Sequence, residues 1–326
     1  MVTDITNTVL IDIGARYGLH PSWKEFKGDL SAIMIDADPD EILRLKSRFS
    51  SRTSFQFINK AIVRPQDSGR VISVPRLSNP AMTTVDKRID FSPIYIDDRP
   101  EDLKSFSSFQ VPCLTLDETI KEIAPSLLSQ IDFLKLDIEG LEYDALLGAA
   151  SILEHALGLR VEVSFDKLFA KSPQEGTFCH IHSYLAEHSF KLLNLDYSGS
   201  GDMFSHLCDP RSRHGMLRST DAVWVKWDFD HLAPEKVAKI VSFLFHNHAS
   251  DLGIYVMKNY LEPRNFKSIS ESNLWCDIKY MLGHWLYNLK WLPKQDLKEH
   301  SDLYEAYFDE DYPAREIFNN SSFFNP

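Results

Sequence analysis

The chain has 326 residues, 44 % of them hydrophobic and 25 % charged, and a formal net charge of −12. That is the balance of a soluble globular protein with room for one large domain or two ordinary ones. It argues against recognition of nucleic-acid phosphates. No apolar run approaches a membrane span, and the N-terminus shows no basic-then-apolar leader. Four scattered cysteines, Cys113, Cys179, Cys208 and Cys276, read as reduced thiols in a cytoplasmic protein.

Val9–Ile13 predicts a buried parallel strand, interrupted only by Asp12. Gly14, Ala15, Arg16 and Gly18 follow in the pattern Asp-x-Gly-x-x-x-Gly. Glycines at such a turn let backbone approach a ligand at the carboxyl end of a first strand. A carboxylate at Asp12 suits an ammonium group better than a pyrophosphate, and S-adenosylmethionine carries an ammonium, a sulfonium and no phosphate. Residues His20 to Leu30 are helix-sized, weakened by Pro21 and Gly28. Ala32–Ile35 predicts a second strand, ending in Asp36, Ala37 and Asp38. An acid at the end of strand two is where nucleotide-binding sheets hold a ribose diol, which makes Asp36 the ribose acceptor. Asp38 fits better as the cap of the helix that Asp40 and Glu41 begin.

Phe55–Val63 reads as strand three, and residues 71 to 98 as extra strands and loops. Val111–Leu116 is another strand, with Asp117 capping a helix that runs to Ile123 and stops at Pro125. The run from Ile131 to Gly140 contains strand four, with Lys135 and Asp137 on one face. Leu141–Ala156 is then a single amphipathic helix, Leu159–Val163 strand five with Glu162, Phe178–Glu187 a helix, and Phe190–Leu195 and Ala222–Trp227 the last strands. Strands alternating with helices predict a doubly wound, mostly parallel α/β sheet. After residue 229 only helical patterning remains, in one stretch around Val237–Phe245 and another from Leu274 to Leu289, with many aromatics. The expected organisation is a domain of residues 1–229 and a helical region of residues 230–326 packed on it.

Three blocks together resemble the FkbM-type methyltransferases, a branch of the S-adenosylmethionine-dependent enzymes with the seven-stranded, Rossmann-like fold. They are Ile11 to Gly18, the turn from Asp36 to Pro39, and Leu134 to Glu142, reading Leu-Lys-Leu-Asp-Ile-Glu-Gly-Leu-Glu. The third is the specific one, and the resemblance spans roughly residues 8–227. The chain departs from the family in having Arg16 for the usual Asn and Asp36-Ala37 for the usual Glu-Pro. Little chain precedes the first block, so the C-terminal helices or a second subunit of a homo-oligomer are expected to cover the site.

The resemblance implies S-adenosyl-L-methionine as cofactor, held by Asp12, Gly14, Ala15, Arg16, Gly18, Asp36 and Ala37. It also implies methylation of a hydroxyl on a sugar, glycan or natural-product acceptor. A hydroxyl needs a general base. The candidates are Asp137 or Glu139 near the methyl group, with Glu162 as a further acid facing the acceptor and Lys135 pairing with one of them. No spacing requires a metal, and the run Cys179, His180, His182 lacks the paired cysteines of a structural zinc site. Two other readings are a catalytically silent methyltransferase-like scaffold and a nicotinamide oxidoreductase. The second is disfavoured by the missing Gly-x-Gly-x-x-Gly.

Overall fold

The computed structural model describes residues 6–80, 83, 101, 103–123, 125–165, 176–196, 219–261, 269 and 272–288. The chain divides into two units, one of residues 8–19 and 30–228, the other of residues 1–7, 20–29 and 229–326.

The first unit is built on a seven-stranded sheet. Its strands are β1 (Thr8–Ile13), β2 (Leu30–Asp36), β3 (Phe55–Asn59), β7 (Phe133–Leu136), β8 (Gly158–Ser164), β9 (Phe190–Asp196) and β10 (Ser219–Lys226). The order is β3-β2-β1-β7-β8-β10-β9. All neighbours are parallel except β10, which runs antiparallel to both β8 and β9. β1 is buried along its whole length, as its continuous apolar run requires. Its odd-numbered residues, Val9, Ile11 and Ile13, join Leu134, Leu136, Leu159 and Val161 in the main core. The strand order reverses between β1 and β7, so the carboxyl ends of β1, β2 and β7 open onto the crevice where such sheets bind ligands.

Helix α2 (Pro39–Arg48) covers the opposite face, placing Ile42 and Leu45 against Ala32 and Met34. Its N-cap is Asp38, whose Oδ1 accepts from the Asp40 N–H at 3.0 Å. Phe55–Val63 is broken at Lys60: β3 stays in the main sheet, whereas β4 (Ala61–Ile62) joins β5 (Val71–Leu77) and β6 (Ser105–Leu114) in a second sheet of order β4-β6-β5. β6 therefore starts earlier and ends sooner than its apolar core predicts.

Leu116 opens helix α3 (Leu116–Ile123) rather than closing a strand. The cap is also not Asp117. Thr115 and Glu118 form a reciprocal capping box, with Thr115 N–H to Glu118 Oε2 at 3.0 Å and Glu118 N–H to Thr115 Oγ1 at 3.2 Å. The Asp117 carboxylate instead accepts from Ser151 N–H and Ile152 N–H. The predicted helix over 141–156 is two, α4 (Glu142–Leu147) and α5 (Ala150–His155). They part at Gly148, where a Cβ would meet the Thr115 Cβ at 2.9 Å. Helix α6 (Phe178–Glu187) follows β8 and packs Ile181 and Leu185 into the main core.

In the second unit the predicted helix over 20–30 is one turn, α1 (Pro21–Lys24). Residues 20–29 group with residues 229–326 rather than with the sheet. The reason is local packing: Trp23 meets Phe243 with ring centroids 6.2 Å apart, and Lys27 N–H donates to the buried Asp277 carboxylate at 2.8 Å. Helices α7 (Pro234–His246), α8 (Ser250–Tyr260) and α9 (Asn273–Asn288) form the rest. Asp277 also accepts from Ser242 Oγ at 2.6 Å and lies 3.0 Å from His246 Nε2. The expected aromatics Trp291, Tyr304, Tyr307, Phe308 and Tyr312 lie outside the described residues. No helix among the described residues is long and apolar enough to cross a membrane.

Candidate active site

The site begins where β1 ends. Gly14 has φ +73°, and a Cβ there would fall 1.8 Å from the Asp137 carbonyl oxygen. Only glycine fits, because the turn after β1 and the turn after β7 touch at this point. Gly14 N–H and Ala15 N–H both donate to the Ile35 carbonyl, at 2.9 and 3.1 Å, tying the turn to β2 as well. Gly18 closes it with φ +93°.

Lys135 sits at the centre. Its Nζ donates to the Gly14 carbonyl at 3.0 Å and lies 3.4 Å from Asp12 Oδ1 and 3.2 Å from Asp137 Oδ2. Burial works against the lysine's charge, but the two aspartates outweigh it and hold its pKa above the usual value. Burial raises the Asp12 carboxyl, with Lys135 opposing. Both Asp12 carboxylate oxygens are shut off from solvent, and their charged partner is Lys135.

Asp36 stands at the end of β2, buried, with Oδ1 accepting from Asp38 N–H at 2.8 Å. Arg16 Nη2 is 3.7 Å from Asp36 Oδ1 and 3.5 Å from Asp38 Oδ2. Burial pushes the Asp36 pKa up to about 6, with the Arg16 charge acting against it. Asn59 of β3 donates to the carbonyls of Asp36 and Ala37, at 3.1 and 2.7 Å, and fixes this strand end.

On the other side the acids gather. Asp137, Glu139 and Glu162 each offer a carboxylate oxygen within 4.8 Å of the others, a spacing that a divalent cation could bridge. Burial first, and then the neighbouring carboxylates, raise Glu139 and Glu162 well above the ordinary range. Asp221, opposite Glu162 on β10, is raised chiefly by burial although Arg160 lies 3.0 Å away. Glu139 adopts φ +57°, a left-handed conformation that costs a non-glycine residue energy.

Glu142 holds that turn. Its Oε1 accepts from Ile138 N–H at 2.8 Å and its Oε2 from Gly140 N–H at 3.1 Å. Burial lifts its pKa to about 7, with these backbone donors opposing. The sequence motif contains Glu142, but spacing alone gave it no role; the signal was a second acid three residues after Glu139.

A cleft of about 140 Å³ runs between the two sides, lined by Gly14, Arg16, Asp36, Ala37, Asp137 and Glu139 among others. It thus joins the predicted ribose acceptor to two of the predicted catalytic acids. Asp12 and Glu162 are not among its lining residues, and Glu162 reaches the group through the acid cluster. His180 lies 3.0 Å from Thr177 Oγ1, and His182 stacks on Phe178.

The domain description "Methyltransferase FkbM domain" matches residues 12–192, more than half of the chain. A search of curated proteins finds no match. Among solved structures, the chain is similar to magnesium protoporphyrin IX methyltransferase from Synechocystis PCC 6803 with bound SAM. Identity is 10 %, coverage is 69 % of this chain and 72 % of that one, and the TM-score is 0.31. A second is a putative tRNA (m1A22) methyltransferase from Streptococcus pneumoniae, at 10 % identity, 94 % and 96 % coverage and TM-score 0.32. The N-terminal domain of EvdMO1 with SAH bound matches at 9 % identity, 67 % and 74 % coverage and TM-score 0.33. With the domain match spanning both the Asp36 turn and the block from Lys135 to Glu142, the chain belongs to the FkbM methyltransferase family, and S-adenosyl-L-methionine is its cofactor.

Proposed function

We propose that this methyltransferase acts on a hydroxyl group of a sugar, glycan or natural-product acceptor, with a carboxylate of the cluster Asp137, Glu139 and Glu162 as general base. The observation that carries this reading is the acid cluster itself, at one end of the cleft that Asp36 lines. Bound S-adenosylmethionine supplies the methyl group on a sulfonium leaving group. Asp36 would accept hydrogen bonds from the ribose diol, Asp12, paired with Lys135 behind the cleft lining, would add negative charge on the ammonium's side, and the turn Gly14 to Gly18 would let the backbone come close.

An alcohol is a poor nucleophile at neutral pH, so the chain must take its proton. Asp137 shares its charge with Lys135 at 3.2 Å. The side chains of Glu139 and Glu162 make no hydrogen bond or ion pair among the described residues, and burial with the neighbouring carboxylates raises both above the ordinary carboxylate range, which makes each a stronger base. Glu139 lines the cleft and Glu162 does not, which favours Glu139 as the proton acceptor and Glu162 as the acid that tunes it.

The test is production of S-adenosylhomocysteine from S-adenosylmethionine by the full chain against a library of hydroxylated sugars and glycolipids, alongside amine and thiol acceptors. Turnover confined to amines or thiols overturns hydroxyl methylation. Cofactor binding without turnover on any acceptor favours the silent-scaffold alternative.

A further inference from the structure

Glu139 and Glu162 are two carboxyls of one cluster. Interacting carboxyls release their protons in succession, not together. Glu139 serves as a base only if it ionises first. The register of the sheet bears on that order. Three acids stand in one row across three strands: Glu162 of β8 is opposite Asp221 of β10, and Asp221 is opposite Asp196 of β9. Opposite residues of antiparallel strands have Cβ atoms about 5 Å apart on one face, and like charges there repel. Arg160 lies two residues before Glu162 on β8 and so shares that face. It is buried, and its Nη1 is 3.0 Å from Asp221 Oδ2 and 3.1 Å from Asp196 Oδ2. Burial raises the Asp221 carboxyl, and the Arg160 charge is the first to oppose that rise.

β8 lies between β7 and β10. On β7, Lys135 is the register partner of Arg160 and pairs with Asp137 at 3.2 Å. The two cations thus take the acids on either side of Glu162. The charges that press on Glu162 are Glu139, Asp137, Glu142 and Asp221, all carboxylates. Glu139 is differently placed. It lines the cleft, and the Lys135 and Arg16 charges act against the carboxylates around it. Building on the assignment of Glu139 as general base, we propose that Asp221, held by Arg160, is a positioning residue for methyl transfer: facing Glu162 across the strand pair, it keeps the proton on Glu162 and leaves Glu139 ionised to take the proton of the acceptor hydroxyl. The acceptor's O–H bond breaks toward a Glu139 oxygen, and the Glu162 proton stays in place. Glu162 then stands beside the base as a neutral acid and adds no charge against it.

The test reads the two carboxyls directly and needs no acceptor. The full chain, isotope-labelled at its glutamate side-chain carboxyls, is titrated by NMR, and Glu139→Gln and Glu162→Gln identify the two signals. In the wild type Glu139 is expected to ionise at lower pH than Glu162. Asp221→Asn keeps the shape and removes the charge. It should bring the Glu162 midpoint down by about one pH unit, with a smaller change at Glu139. Asp196→Asn is the control, since Asp196 also touches Arg160 but stands one strand further from Glu162. It should move the Glu162 midpoint much less. A Glu162 midpoint unmoved in a folded Asp221→Asn protein overturns the proposal. So do equal shifts in the two variants, which would make the acids around Arg160 a scaffold, and so does a wild-type Glu162 that ionises before Glu139. The hydroxyl reading fails separately, through the acceptor library, without changing these midpoints.

Discussion

The two ends of the cleft treat charge in opposite ways. At the β1–β2 end each acid has a cationic neighbour: Asp12 faces Lys135, and Asp36 and Asp38 face Arg16. At the far end, beyond the Asp137–Lys135 pair, Glu139 and Glu162 are pressed chiefly by neighbouring carboxylates, with the Lys135 and Arg16 charges acting more weakly against this at Glu139. A matched end is set for one ligand whose charges are fixed. An unmatched end holds a group whose protonation changes during a reaction, since like charges and burial move a carboxylate pKa toward neutrality.

Removing charge from the unmatched end should have the largest effect. Glu139→Gln is expected to lower turnover about 10²–10⁴-fold, the scale of general-base loss. Its melting temperature should hold or rise, because a repelled buried carboxylate is gone. Wild-type turnover in this variant, once an acceptor is found, would hand the role to Asp137, Glu162 or a histidine such as His180 or His182. At the junction of the two ends, Gly14→Ala forces a Cβ onto the Asp137 carbonyl in a left-handed conformation. The strain alone is about 1–3 kcal/mol, and thermal unfolding should show at least that loss together with weaker cofactor binding. A well-folded Gly14→Ala protein with intact affinity would mean the two turns move independently.

At the matched end, Asp36→Ala should weaken S-adenosylhomocysteine by about 1–3 kcal/mol, the range for a hydrogen bond to a charged group. Calorimetry decides this, and unchanged affinity removes the ribose assignment. The smallest effect is pH-dependent. Asp36 ionises at about 6 in the folded protein against an ordinary value of 3.8. Between these values the folded state holds the proton more than the unfolded chain does, so this group's contribution to stability falls as pH rises through that window. Ligand affinity should run the other way. It should rise about fivefold from about pH 5 to about pH 7 as the carboxylate becomes the better acceptor, and Asp36→Asn should flatten the rise.

The strands β1, β2 and β7 were legible because each is a short apolar run with an acid or glycine at its carboxyl end. Asp12, Gly14, Asp36 and Asp137 follow from that grammar. What stayed hidden depended on partners distant in sequence. Thr115 took the cap expected of Asp117 because Glu118 could answer it, leaving Asp117 free to serve Ser151. Gly148 split a helix whose apolar spacing ran straight through it, for want of room beside Thr115. Residues 20–29 look like a crossover helix until Asp277, 250 positions on from Lys27, claims their backbone. Phe109 carries no motif, and only the cleft reveals its place in it.

The left-handed backbone at Glu139 bears on whether this chain is still an enzyme. Glycine or asparagine would adopt that conformation with less strain and would also remove a carboxylate from a crowded, buried cluster. Two separate penalties thus fall on one side chain, and random substitution would relieve both in a single step. In a lineage that had given up chemistry, drift would favour that step, because nothing would oppose the gain in stability. A glutamate at so unfavourable an address weighs against the silent scaffold.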